Sequence, residues 1–290
     1  MIPILLGGAA LWGMSNLSNA ERHIKNANEI NAQAAFIANA ANHKVRNAHS
    51  HMTNILSSLG ALKMDIMSDN IDDVVDTMSG IYKNFKLNRD TRGLRELEDN
   101  GFSHQVLDEM HTLSNKAIEL AHTEIITSPD SGVFCAIGMF GSTVLGLSAI
   151  AAPAMLLYSF MQSDEAEAAL YEAKTKLDEA RYYEARSENI CALFHAISKR
   201  GQQIQDLLNS LNNYLTPAVM NMNSIKDIYG YDYRQYSEDA KANVFYMWQI
   251  AQTVKSIIDT SIIQEDWSIN PDLEEPIEIG QQTIALLNDQ

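Results

Sequence analysis

The sequence predicts an all-α protein: an elongated bundle of long antiparallel coiled-coil-like helices with a central hydrophobic helix or helical hairpin. Three observations predict it. Apolar residues recur at steps of three and four over long stretches, the spacing of a helical seam. Breakers are scarce, with 14 glycines and 6 prolines in 290 residues. An uncharged run of 29 residues, 133–161, divides the patterned chain into two halves. The order is an apolar segment at 1–14, a first coiled half at 15–127, the hydrophobic segment within 128–162, a second coiled half at 163–263 and an acidic tail at 264–290.

The opening residues, MIPILLGGAALWGM, are apolar and lack the basic start of a secretory leader. They are too short to span a bilayer alone. They read either as a segment that packs on the central run or dips into a membrane surface, or as the end of a core helix.

A long helix is expected from Ser15, with Asn16 and Asn19 as capping types and Glu21 in its first turn. Its seam runs through Ile30, Ala34, Ile37, Ala41, Val45, Ala48, Met52, Ile55, Leu59, Leu62 and Ile66, with one slip near Val45. Gly60 is a candidate bend. Asp69, Asp72, Asp73 and Asp76 read as a solvated helix face or a cap after Ser68. They lack the glycine turn and closing glutamate of an EF-hand loop. Residues 87–101 read as a connector. A second helix is expected from Ser103 to Ile126, with Val106, Leu107, Met110, Leu113 and Ala117 on one face. Its other face carries His104, Asp108 and His111, at spacings that let them line up toward one cation. The competing reading, a solvent face that carries histidines, is favoured because no second shell is legible.

The run 133–161 contains no charged residue and no Asn, Gln or His. As one helix it is about 43 Å long, more than a bilayer core of about 30 Å requires. As a hairpin it gives two arms, each short of a span. Gly138, Ser142 and Gly146 recur every fourth residue and form a smooth ridge of the kind that lets helices approach closely in lipid. Pro153 kinks or ends that helix.

Ser163, Asp164 and Glu165 then start a third helix, expected to run to about Leu215. Residues 210–230 are loosely patterned around Pro217. Tyr229, Tyr231, Tyr233 and Tyr236 read as packing at a helix junction rather than as a membrane belt. A fourth helix is expected from Ser237 to Thr260. The tail reads as a poor core former until Ile284–Leu287.

The charge is −16, and its distribution is uneven. Residues 1–60 carry four basic and two acidic side chains, and every later stretch is strongly acidic. That argues against nucleic acid as a partner, since phosphate neutralisation dominates such binding. Cys135 and Cys191 read as buried thiols rather than a disulfide framework. No phosphate-binding glycine loop, nucleophile elbow or paired metal ligands is present in the sequence, so neither an enzyme nor a cofactor or metal requirement is expected.

The runs MIPILLGGAALWG, LGALKMDIMSDNIDDVVDTM and VKSIIDTSIIQEDWSIN, with their layout, resemble a loose group of uncharacterised bacterial helical proteins with a central glycine-bearing hydrophobic segment. The central segment here is shorter than is usual in that group. The architecture is also similar to helical pore-forming toxins, which hold a hydrophobic segment between long helices until it inserts. The first likeness implies no activity, and the second carries over no residue.

Two functions follow. In one, residues 133–161 insert in or anchor to a lipid membrane and the chain self-associates into a homo-oligomer through Gly138, Ser142 and Gly146. The chain is then membrane-associated, or a soluble form that converts. In the other, the protein is a soluble scaffold whose coils bind a helical protein partner and residues 133–161 form a buried core hairpin.

Overall fold

The structure, a computed structural model, describes residues 7–121, 170–264 and 268–288. Every regular element among them is helical, and the single β-type pairing is an isolated antiparallel bridge between Ile263 and Ile269. The elements are α1 (Gly7–Ile66), a π-helical turn (Met67–Ile71), α2 (Asp72–Leu87), α3 (Thr91–Asp99), α4 (His104–Ala121), α5 (Leu170–Tyr229), α6 (Glu238–Asp259) and α7 (Glu274–Asn288). Single 3-10 turns, Tyr233–Gln235 and Pro271–Leu273, precede α6 and α7. The all-α class is therefore established. The central helix or hairpin, with Gly138, Ser142, Gly146 and Pro153, lies outside the described residues.

The chain divides into two compact units. One comprises residues 1–50 and 148–195, the other residues 51–147 and 196–290.

In the first unit α1 and α5 lie side by side. Lys44 meets Glu188 at 4.0 Å, and the His49 ring meets Phe194 with centroids 5.5 Å apart. Both contacts advance together along the two helices, so the helices run parallel. Ala27, Ala34, Ala41 and Ala48 on α1, and Ala173, Ala180 and Ser187 on α5, are buried at seven-residue spacing. Small side chains at these positions let the two backbones approach closely.

The second unit repeats the parallel pairing. Ile55 lies against Gly201, Ser58 accepts from Gln205 at 3.0 Å, and Asp73 accepts from Asn223 at 2.9 Å. The antiparallel pairing expected of the two long coils is thus corrected. α4 runs antiparallel to α2, with Ser114 on Asp72 and His104 against Tyr82. α6 also runs back, from Phe85–Tyr233 at one end to Lys63–Ile258 at the other. α7 runs with α5, from Arg200–Glu274 to Tyr214–Asn288.

The seam explains the π-helical turn. Met52, Leu59 and Ile66 are buried at seven-residue spacing, and so are Met67, Val74 and Ile81. The two ladders differ by one residue in phase. A π turn accommodates one extra residue without ending the helix, and it falls where the phases meet. Gly60 makes no break, because Leu56, Leu59 and Met64 keep the surrounding turns packed. Of the expected seam, Ile30, Ile37, Ile55 and Leu62 are only half-buried, while Leu56 and Lys63 are buried in their place.

Four other boundaries differ from those expected. α1 starts at Gly7, not Ser15. The connector at 87–101 contains α3, whose N-terminus is capped by Asp90 accepting from the Gly93 amide at 2.9 Å. α5 passes Pro217 and ends at Tyr229. A proline inside a helix costs about 3 kcal/mol. Leu215, Val219 and Met222 are buried around it, at about 1.5–3 kcal/mol each, so packing outweighs the proline. The acidic tail contributes α7, which buries Ile277 and sets Gly280 against Ile257 and Leu207.

Candidate functional site

The residues expected to carry membrane insertion and self-association, Gly138, Ser142, Gly146 and Pro153, lie outside the described residues. Among the described residues no helix is long and apolar enough to cross a membrane. The structure does resolve the polar clusters that compete for a functional role.

The acidic run of α2 is a set of interhelical clips. Asp72 accepts from Ser114 of α4 at 2.8 Å, and Asp73 accepts from Asn223 of α5 at 2.9 Å. Asp76 accepts from Lys226 at 2.9 Å and from the Tyr231 hydroxyl at 2.7 Å. Asp69 accepts from its neighbour Ser68 at 3.3 Å. Burial opposes ionisation of Asp76, but the bonds from Lys226 and Tyr231 prevail and hold its carboxyl below the usual range. Burial, then the Asp76 carboxylate, push the Tyr231 phenol up to about 12. The solvated-face reading of this run is corrected for Asp72 and Asp73, which are half-buried, while Asp76 is solvent-exposed as expected and also bonded across helices. Their partners on α4 and α5 lie far along the chain, and no local pattern announced them.

The histidine face of α4 does not converge. His104 Nδ1 lies 3.0 Å from Asp108, while His111 pairs with Asn115 at 3.1 Å. Among the described residues no three His, Cys, Asp or Glu side chains are placed to hold a metal ion. A shallow depression of about 500 Å³ opens beside this face, lined by His104, Asp108, Glu109, Lys116 and Asp259 among others. Both Glu109 and Asp259 of its lining face Lys255. Lys255 bonds Glu109 and lies 3.4 Å from Asp259. The bond from Lys255 holds the Glu109 carboxyl below its usual range.

The tyrosine group after α5 packs a junction. Tyr233 and Tyr236 are buried, and Tyr233 contacts Phe85, Tyr236 and Phe245. The Tyr236 hydroxyl donates to the Gly230 carbonyl at 2.6 Å. Gly230 sits at φ +60, a conformation side chains resist, and this turns the chain from α5 toward α6. Trp248, fully buried, donates its indole N–H to the Gly101 carbonyl at 3.2 Å.

Two features were missed in the sequence. Lys63 is fully buried and donates to the Ile258 carbonyl at 3.1 Å, in the last turn of α6, where a cation suits the helix dipole. The signal was its place three residues before Ile66 and four after Leu59, on the seam itself. Asn70, in the π turn, donates to Asn212 at 2.7 Å and Thr216 at 2.9 Å, directly before Pro217. The two irregular points of the long helices are therefore joined. Burial pushes the Cys191 thiol up. The side chain is half-buried, so the expected buried thiol holds only in part.

No protein-family model, no curated protein and no solved structure matches the chain.

Proposed function

We propose that the protein is a non-enzymatic, membrane-associated helical protein that inserts or anchors through residues 133–161 and self-associates, in the manner of pore-forming or membrane-remodelling proteins. The observation that carries the reading is the 29-residue uncharged run. It lies in the chain between α4 and α5. Fully burying each large apolar side chain is worth about 1.5–3 kcal/mol, so a run of this length needs a large apolar environment. The central segment is a single helix or a helical hairpin, flanked by coiled-coil-like halves, and its glycine ridge is the contact between copies. The polar clips along α2, α4 and α5 act as the rigid support of that segment rather than as chemistry. The layout of the sequence, a hydrophobic segment between long helices, resembles that of helical pore-forming toxins and favours the same reading.

Replacing Gly138 and Gly146 with Leu fills the ridge. The variant is expected to bind vesicles and to lose the oligomers that the natural chain forms in lipid, as read by cross-linking. Oligomers of unchanged size in lipid would contradict the role of the ridge.

A further inference from the structure

The turn between α2 and α3 is opposite in charge to the chain that carries it. The 13 residues from Lys83 to Arg95 hold Lys83, Lys86, Arg89, Arg92 and Arg95 against one carboxylate, Asp90. The whole chain has 21 Lys and Arg in 290 residues and a charge of −16, so a stretch of this length would ordinarily hold about one cation. The fold keeps the five together. Lys83 and Lys86 lie in the last two turns of α2, Arg92 and Arg95 in the first two turns of α3, and Arg89 sits between them at φ +53. The Asp90 amide bonds back to the Phe85 carbonyl at 2.9 Å, which holds the turn tight. At ~1.5 Å per residue, Lys83 and Arg95 each lie within about 11 Å of Asn88 along the chain. All five cations are exposed, and among the described residues none of them forms an ion pair. The acidic neighbours are engaged elsewhere. Asp90 caps Gly93, Asp232 holds Arg234 at 2.8 Å, and Asp76 holds Lys226 at 2.9 Å. Glu98 and Asp99 stand at the far end of α3. In the middle of the cations Leu87 is 83% exposed.

We propose that the α2–α3 turn docks on an anionic membrane surface, with Lys83, Lys86, Arg89, Arg92 and Arg95 on lipid headgroups and Leu87 among the acyl chains just beneath them. Charge complementarity selects the occupant. An anionic surface repels the acidic remainder of the chain and attracts this turn, so it also fixes which end of the second unit faces the lipid. Charges farther off than a Debye length, about 8 Å at physiological salt, are largely screened, so the −16 of the whole does not cancel the turn. Arginine forks bind phosphate oxygens in pairs. Leu87 separates lipid from other acidic partners. Against the acidic face of a second copy, or against a nucleic-acid backbone, an exposed leucine would meet charge. At a bilayer surface it enters the apolar boundary while the cations stay at headgroup level. Each cation close to an anionic bilayer strengthens binding roughly fivefold. The proposal names a lipid class for the membrane-associated reading above and rests on that reading in taking a bilayer as the partner, but no part of it uses residues 133–161.

The test uses the full chain and two kinds of vesicle, phosphatidylcholine alone and equal parts phosphatidylcholine and phosphatidylserine. An environment-sensitive fluorescent amino acid at position 87 is expected to shift to the blue on the anionic vesicles, and the same group at Leu286 on α7, 67% exposed, is expected not to shift. The triple variant Arg89→Gln, Arg92→Gln, Arg95→Gln is expected to need at least ~10-fold more anionic lipid for half-binding. Its helix content and its binding to phosphatidylcholine are expected to match those of the natural chain, because the three side chains are exposed and hold no ion pair. Lysine at the same three positions keeps the charge and is expected to keep the binding. Half-binding unmoved by the glutamines would overturn the proposal, and so would equal affinity of the natural chain for both vesicles. A shift at position 87 on raising protein concentration without lipid would assign the turn to a second copy. A shift with a single-stranded oligonucleotide and none with vesicles would assign it to nucleic acid. Failure of residues 133–161 to meet lipid has a different signature: phosphatidylcholine vesicles then bind nothing, while anionic vesicles still bind through the turn.

Discussion

Gly80 is where close packing and backbone preference oppose each other most directly. A Cβ added there collides with the body of the Tyr231 ring, at Cγ, Cδ1 and Cε1. Within a helix, replacing Gly with Ala gains roughly 0.5–1 kcal/mol. Forcing an extra carbon into a filled space costs typically about 1–3 kcal/mol. Tyr231 follows Gly230, which is already held at positive φ, so the ring does not simply swing aside. Displacing it also strains the hydroxyl bond to Asp76. A bond to a charged group is worth about 1.5–3 kcal/mol, here nearer ~1 kcal/mol because the Asp76 side chain is 55% exposed and solvent screens it. The balance predicts that Gly80→Ala destabilises the chain by about 1–3 kcal/mol. In a Tyr231→Ala background the collision is gone, and the same substitution should stabilise by roughly 0.5–1 kcal/mol. Urea unfolding of the four proteins in this cycle, followed by circular dichroism, reads the sign in each background. A stabilising Gly80→Ala in the natural chain, or the same effect in both backgrounds, would refute the reasoning.

Two further predictions use the same second unit. Lys63→Ala removes a buried stem and leaves the Ile258 carbonyl without its donor, so urea unfolding should show a loss of about 2–4 kcal/mol. Lys63→Met keeps most of the volume, and its cost should be less than half of that, because apolar replacement of a buried charge is often neutral. Asp76 has a folded-state carboxyl below its unfolded value, so its contribution is present above the usual 3.8 and is lost as pH falls through the lowered folded value. The stability difference between the natural chain and Asp76→Asn should therefore be constant near neutrality and shrink toward zero in strong acid, as read by thermal melts from pH 7 to about pH 2.

Much of the fold was legible because burial follows period. Val45, Ala48, Met52 and Leu59 were on the expected seam and are buried, and the start of α6 was marked by Ser237, whose side chain accepts from the Ala240 amide. What failed had a common cause, since tertiary packing overrode a local signal. The third long helix is expected to end near Leu215 in a loosely patterned stretch around Pro217, yet Leu215, Val219 and Met222 carry it past the proline. The tail read as a poor core former because its apolar residues are few, but Ile277 and Gly280 suffice to dock α7 on α6 and α5. The direction of the long helices was not legible at all, because a heptad seam is the same whether its partner runs parallel or antiparallel. Likewise the aspartates of α2 gave a charge count but not Ser114, Asn223 or Lys226, which sit on other helices. The favoured reading of the histidines on α4, a solvent face, agrees with the exposure of His104, Asp108 and His111, and His111 pairs with Asn115.

The central claim is that residues 133–161 meet lipid. Flotation of the full-length protein with vesicles, run beside calcein-loaded vesicles, tests it most directly. The protein is expected to rise with the vesicles, with dye release accompanying binding if the inserted form is a pore; binding without release indicates an anchor or remodelling scaffold. A protein that stays at the bottom of the gradient, as a stable monomer without detergent, would contradict the claim and assign residues 133–161 to a buried core.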